Sequence, residues 1–127
     1  MEENGLEAII MNAAGINIKG GYDISEKILE KAVKEDVSAV FCAEDELAIG
    51  LLNYCYDHNV KVPENISIAG FGDVPLASIY RPSLTTVREP YYDIGAVSMR
   101  KLVKELKENQ KIIDNKILPS ELIERES

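Results

Sequence analysis

The sequence predicts an α/β domain on a mainly parallel sheet, with helices on both sides in a three-layer αβα arrangement. Three observations predict it. Short continuous apolar runs, as expected of strands covered on both faces, alternate with longer stretches in which apolar residues recur at helical spacing. That alternation of strand and helix is the order of a parallel α/β chain. Finally, the 127 residues are 46% apolar, enough for one core, and no linker, internal repeat or low-complexity segment divides them, so residues 1–127 read as one domain.

The elements follow in order. Residues 8–11 form an apolar run expected to be the first buried strand, and the glycines at 15, 20 and 21 then break the chain. Over 21–36, Ile24, Ile28, Leu29, Ala32 and Val33 share one helical face, while Glu26, Lys27, Glu30, Lys31 and Lys34 take the other. Residues 39–43 are the next strand. A helix over 45–58 follows, with Glu44, Asp45 and Glu46 at the end where the helix dipole favours acids. Asn59 suits a left-handed stop, and residues 62–65 a turn. A third strand at 66–69 runs into a glycine turn at Gly70 and Gly72, then a structured loop. A short extended run at 84–87 precedes a long helix over 90–109, opened by Pro90 at a first-turn position. Its apolar stripe is Ile94, Val97 or Ser98, Met99, Leu102, Val103 and Leu106. Residues 116–125 are extended, with Pro119 marking a bend between two short strand-like pieces.

Charge and residue usage narrow the function. Fourteen Lys and Arg against 22 Asp and Glu give a net charge of −8, and the bases do not cluster, so direct binding to nucleic acid is not expected. No apolar run approaches the ~20 residues of a membrane helix. The opening MEENGLEAII carries acids where a secretory signal carries lysines, so a cytoplasmic location is expected. Cys42 and Cys55 fall in a strand and a helix, outside any Cys/His cluster, and read as reduced, buried thiols. Asp45 and Glu46 lack the second acidic strand end or the lysine that would make them a magnesium site, so no metal and no cofactor are expected. His58, the only histidine, sits where it complements a helix dipole, and no serine or cysteine is framed by a base. The glycines of 15–21 make a poor phosphate loop. An enzyme is not expected.

Four blocks then carry a resemblance. AVFCAEDELAIG (39–50) is similar to a strand followed by an Asn-Asp-x-x-Ala-x-Gly helix start. KVPENISIAGFGD (61–73), RPSLTTVREPYYDIGAVSMRKLV (81–103) and the closing LPSELIERES follow in register. Together they resemble the C-terminal part of the effector domain of the LacI/GalR family of bacterial transcription regulators, and YDIGAVSMR is worded like the catabolite control branch. Residues 5–38 fit more loosely as the preceding strand-loop-helix unit. The resemblance implies one lobe of a periplasmic-binding-protein-like fold, without the family's DNA-binding headpiece.

By position, the resemblance places the family's effector-contacting residues at Ile16, Glu44 and Gly72, with Asp73 beside the last. All depart from the usual types, which are an aromatic, an asparagine and an aspartate. Two readings stand for Glu44 and Asp73: solvated acids at element ends, Glu44 acting as a plain helix cap, or side chains lining an effector pocket. Tyr91 and Tyr92 read as packing residues of a helix start. The resemblance also implies a homodimer face on the 45–58 helix and the loop ending at Tyr80, with Ile49, Asn53, Tyr56 and Tyr80 partly exposed in one copy. Partners so implied are a small effector, a sugar or related metabolite, and a second copy, with DNA reached only through a headpiece and no membrane. A transport solute-binding protein shares the lobe and is the alternative. The 90–109 helix, which in the family crosses to the other lobe, is expected to pack on its own lobe or on a second copy.

Overall fold

The computed structural model describes residues 7–109, 111 and 113–127; the acidic N-terminal residues Glu2 and Glu3 lie outside them. The elements are α1 (Ile18–Lys34), β1 (Ala39–Phe41), α2 (Asp45–Asp57), β2 (Ser67–Phe71), α3 (Pro75–Ile79), β3 (Thr85–Arg88), α4 (Tyr91–Glu108) and β4 (Glu121–Ile123). One sheet holds all four strands in the order β1-β2-β3-β4. Its first three strands are parallel, with Phe41 opposite Ala69 and Ala69 opposite Thr85; β4 returns antiparallel, with Thr86 opposite Ile123. The expected α/β class with a mainly parallel sheet is what forms.

Helix α1 begins at Ile18, because the Asn17 side chain accepts the Gly20 amide at 2.8 Å and satisfies a first-turn donor. It crosses α2 backbone on backbone. A Cβ at Gly50 would lie 2.1 Å from the Ile18 carbonyl oxygen, so any larger residue there would force the helices apart. Helix α2 ends as its sequence indicates, with Asn59 at φ +57°. Its buried residues Ala48, Ile49, Leu51, Leu52 and Cys55 form the core with Ile66 and Ile68 of the β2 region, Ala77 and Leu84. Ile49 is fully buried in that core. The expected partial exposure of Ile49 is therefore corrected, since i, i+3 and i+4 neighbours of Ala48 and Leu52 face the sheet, not solvent.

Residues 8–11 are not a strand. They pair with no ladder, and Ile9, Ile10 and Met11 are exposed. An apolar run becomes a strand only when a neighbour takes its amides and carbonyls, and the edge of β1 away from β2 is unpaired among the described residues. The sheet itself is covered unevenly. Ile68, Gly70 and Thr86 face α2 and are buried, whereas Phe41, pointing the other way, is 62% exposed.

The loop after β2 contains a helix that the sequence pattern does not announce: α3 has Pro75 in its first turn and ends at Tyr80. Only Glu121–Ile123 of the extended tail is a strand. Helix α4 matches its expected bounds but has no buried residue. It does not bury its stripe on its own lobe. Ile94, Val97, Ser98 and Lys101 face Lys116, Leu118 and Ser120 across a groove of about 300 Å³, and the rest of the stripe is open. Among the described residues no helix is long and apolar enough to cross a membrane.

Candidate functional site at the carboxyl ends of the strands

Three parallel strands deliver their carboxyl ends to one edge: Phe41 of β1, Phe71 of β2 and Arg88 of β3. In open α/β sheets this is the edge at which the chain leaves the sheet and a crevice opens. What rigidifies it is Asp45, the first residue of α2. Its side chain is fully buried, and Oδ1 accepts from the Thr86 hydroxyl at 2.6 Å while Oδ2 accepts from the Val74 amide at 2.8 Å. Thr86 Oγ1 also accepts the Asp73 amide at 3.3 Å. One carboxylate thereby ties α2 to β3 and to the loop after β2. Losing it would leave buried donors unsatisfied, at about 1–3 kcal/mol each.

Gly72 stands where the resemblance places an aspartate. Its φ of +122° lies in a region that L side chains rarely adopt, and a Cβ there would sit 3.7 Å from the Tyr91 hydroxyl and 3.8 Å from Asp45 Oδ2. The position is thus bare backbone bordered by two polar side chains. Asp73, also left-handed at φ +51°, turns to two arginines: Arg88 Nε and Arg125 Nη2 each donate to its carboxylate at 2.6 Å. Burial pushes the Asp73 carboxyl up, but the hydrogen bonds and charges of Arg125 and Arg88 outweigh it and hold it below the usual carboxylate range. Arg125 further donates to the Leu84 carbonyl at 2.6 Å, so the tail after β4 clamps this loop to the start of β3.

Glu44 occupies the N-cap position of α2 but makes no side-chain capping bond, which corrects the plain-cap reading; its side chain is exposed. Ile16 is 72% exposed immediately before the cap of α1. Tyr91 is 59% exposed and donates its hydroxyl to Glu89 Oε2 at 2.8 Å. The hydrogen bond to Glu89 raises that phenol first, then burial, then the charges of Glu89, Glu44 and Asp45. Tyr91 and Tyr92 are therefore not packing residues. Sequence reasoning missed Thr86, Arg88, Tyr91 and Arg125. The threonine pair and the Arg-Glu-Ser ending are visible signals, but nothing local says that Arg125 reaches a loop 52 positions away.

The expected dimer-face residues divide. Asn53 and Tyr80 are half-buried and joined by the Tyr80 hydroxyl donating to Asn53 Oδ1, and Tyr56 is 80% exposed. Beside Tyr56 runs a shallow groove of about 360 Å³, floored by Leu52, Cys55, Val60 and Val62 and edged by Arg81 and Pro82. Ile49 takes no part in that surface. Burial drives the Cys55 thiol up to about 11 and that of Cys42 to about 12, so neither is a ready nucleophile.

A mainly parallel sheet whose strand ends gather polar side chains, with a long helix leaving that end and the chain returning into an antiparallel edge strand, has the architecture of one lobe of a two-lobed binding fold. Over residues 1–127 the sequence matches the family of periplasmic binding protein-like domains, and the chain belongs to it, in the LacI/GalR branch. It is similar to the transcriptional regulator RegA of Clostridium saccharobutylicum, with 41% identity over 112 residues, 88% of this chain and 33% of that protein. Among solved structures it is similar to the transcription regulator CcpA of Lactococcus lactis, at 29% identity and a TM-score of 0.80, over 99% of this chain and 46% of that one. A LacI-family regulator of Enterococcus faecium, solved with bound ribose, matches at 29% identity and a TM-score of 0.77, over 88% of this chain and 40% of that one. The chain spans about a third of the length of the curated relatives it matches.

Proposed function

We propose that this chain is the C-terminal lobe of the effector-sensing and dimerising part of a LacI/GalR-type transcription regulator, and that it is not an enzyme. The observation that carries the reading is the strand-end edge. Asp45, Thr86, Asp73 and Arg125 hold the Gly72 turn there, and leave Glu44 and the Tyr91 ring open to a ligand. A wall of this kind offers an apolar surface and a few directed polar groups, which is what a sugar or related metabolite needs. The relative from Enterococcus faecium was solved with ribose, which supports the same ligand class. A second lobe closes the cleft. Effector binding between lobes shifts the population of their relative angles and so the spacing of two DNA-binding headpieces.

The two copies meet through α2 and the Tyr80 corner. Tyr56 is the side chain to test, because it is open and its hydroxyl makes no hydrogen bond among the described residues, whereas Tyr80 is bonded to Asn53. Tyr56→Asp is expected to shift sedimentation equilibrium towards monomer with an unchanged unfolding temperature. An unaltered dimer in the variant, or a purely monomeric parent, overturns the face. The regulator reading is decided by the coding sequence in frame before Met1. A DNA-binding headpiece supports it, and an export signal followed by a solute-binding lobe overturns it in favour of transport.

A further inference from the structure

The tail is seated on the lobe by polar bonds more than by apolar packing. Glu121 and Leu122 of β4 are exposed, and Ile123 is half-buried. The last three residues supply the hold that β4 lacks. The Arg125 amide donates to Thr85 Oγ1 at 3.0 Å, and Glu126 accepts from the Ser83 amide at 3.0 Å and the Ser83 hydroxyl at 2.9 Å. The Ser127 hydroxyl donates to the Ile68 carbonyl at 2.6 Å and accepts the Thr85 amide at 2.8 Å, so one hydroxyl bridges β2 and β3. These bonds hold the tail at the amino-terminal ends of β2 and β3. Two ties reach the loop beyond the carboxyl end of β2. Arg125 meets Asp73 Oδ1 at 2.6 Å, and Glu121 is joined to Asp73 through Arg88, at 3.4 Å and 2.6 Å. Asp73 thus fastens β4 from both sides, since Glu121 begins the strand and Arg125 lies two residues past its end. The Arg125 tie is the stronger, because its side chains are 15% and 9% exposed whereas Glu121 is 69% exposed. Before β4, Leu118 of the tail faces Ile94 and Val97 of α4 across their shared groove. A shift of α4, which has no buried residue, therefore meets the tail first.

We infer that Arg125 is a positioning residue, which couples the seat of the tail beside α4 to the Gly72 turn at the effector edge. The inference rests on the proposed effector wall and names how that wall is regulated. Asp73 carries the motion to the turn. It follows Gly72 directly, its left-handed backbone is pinned by its amide on the Thr86 hydroxyl, and Thr86 in turn is bonded to buried Asp45. A charge-assisted bond of 2.6 Å is lost when its donor moves by about an ångström, so a displaced tail frees one oxygen of Asp73 and leaves Arg88 alone to hold the other. The coupling is reciprocal, and a ligand that fixes the turn favours one seat of the tail. What packs on the open stripe of α4 is then felt at the strand ends, through Leu118, β4 and Arg125.

The test is amide-resolved NMR of the 127-residue chain without ligand. In the parent the Gly72 and Asp73 amides are expected to have order parameters of about 0.85, as in α2. Arg125→Gln should drop them below about 0.6 and leave α2 unchanged, which a loss of global stability alone would not do. Glu126→Gln frees the tail from Ser83 but spares Asp73, and should leave the turn as it is in the parent. Leu118→Ala, made at the far end of the tail, is then expected to move the Gly72 amide shift. In the Arg125→Gln background it should move that shift less than about a third as far. Should Arg125→Gln not fold, Asp73→Asn gives the same comparison, because asparagine tolerates the left-handed backbone and lacks the charge. Turn order parameters that stay unchanged in Arg125→Gln, or fall as far in Glu126→Gln, overturn the positioning role. A Leu118→Ala shift that persists in full without the Arg125–Asp73 pair, or is absent from the parent, overturns the coupling. These outcomes are read without ligand and leave the effector reading standing, since that reading is decided by the coding sequence before Met1.

Discussion

At the scale of residues, ion pairs differ in worth according to what surrounds them. Lys19 and Asp23 pair across one helical turn with side chains 80% and 55% exposed, and such pairs contribute about 0–0.5 kcal/mol. Arg125 and Asp73 meet with 15% and 9% exposure, and Asp73 has a second arginine in Arg88. The folded Asp73 carboxyl is held below its unfolded value. The pair therefore adds stability above the unfolded carboxylate pKa of about 3.9 and loses it as pH falls through the lower folded value. Arg125→Gln is expected to lower the unfolding temperature at neutral pH by an amount equivalent to about 1–3 kcal/mol. The gap from the parent chain should close as the buffer is taken below about pH 4. A gap that stays constant on acidification would show the cost to be lost packing and not lost charge. The sequence made Asp73 visible as a candidate because it follows a glycine turn. It hid the direction of the side chain, which depends on an arginine brought in by the tail.

At the scale of elements, helical periodicity was a good guide to where the long helices form. The bounds of α2 and α4 fall within a residue or two of their sequence pattern, and Asn59 stops α2 in the left-handed conformation. Residues 8–11 and 75–79 went the other way. The first run has strand composition but no partner strand, and α3 is too short to show a helical period, so only its proline marks it. Helix α4 sharpens the distinction between forming a helix and packing one. Its backbone pattern is regular, yet Met99, Leu102, Val103 and Leu106 are all exposed and none of its residues is buried. Helices of this kind draw most of their stability from tertiary packing. Hydrogen exchange followed by mass spectrometry or NMR is expected to show the amides of α4 exchanging faster than those of α2 by at least about tenfold. Equal protection would mean that a second copy covers the stripe in solution, the intermolecular arrangement that remains for this helix.

At the scale of the whole molecule, the sheet order and the family were legible because four separated sequence blocks fix strands and turns that lie side by side. The chemistry of the edge was less legible, since it is assembled from α2, β3, the Gly72 turn and the tail, whose sequence separations reach 52 positions. One property of the entire chain can be read from composition and is unchanged by folding. The net charge is −8, and the two best-placed arginines, Arg88 and Arg125, are held by carboxylates. Non-specific DNA binding comes from cations that displace the counterions of phosphates, and it weakens steeply with salt. This chain presents no such array and repels a polyanion at long range. A fluorescently labelled operator-length duplex is therefore expected to show unchanged anisotropy with the 127-residue chain at about 100 µM and low salt, a concentration within the range of typical non-specific dissociation constants. A rise in anisotropy that disappears with added salt would place a phosphate-binding surface on this lobe. It would overturn the proposed division of labour, in which the lobe senses and pairs while a separate headpiece holds the DNA.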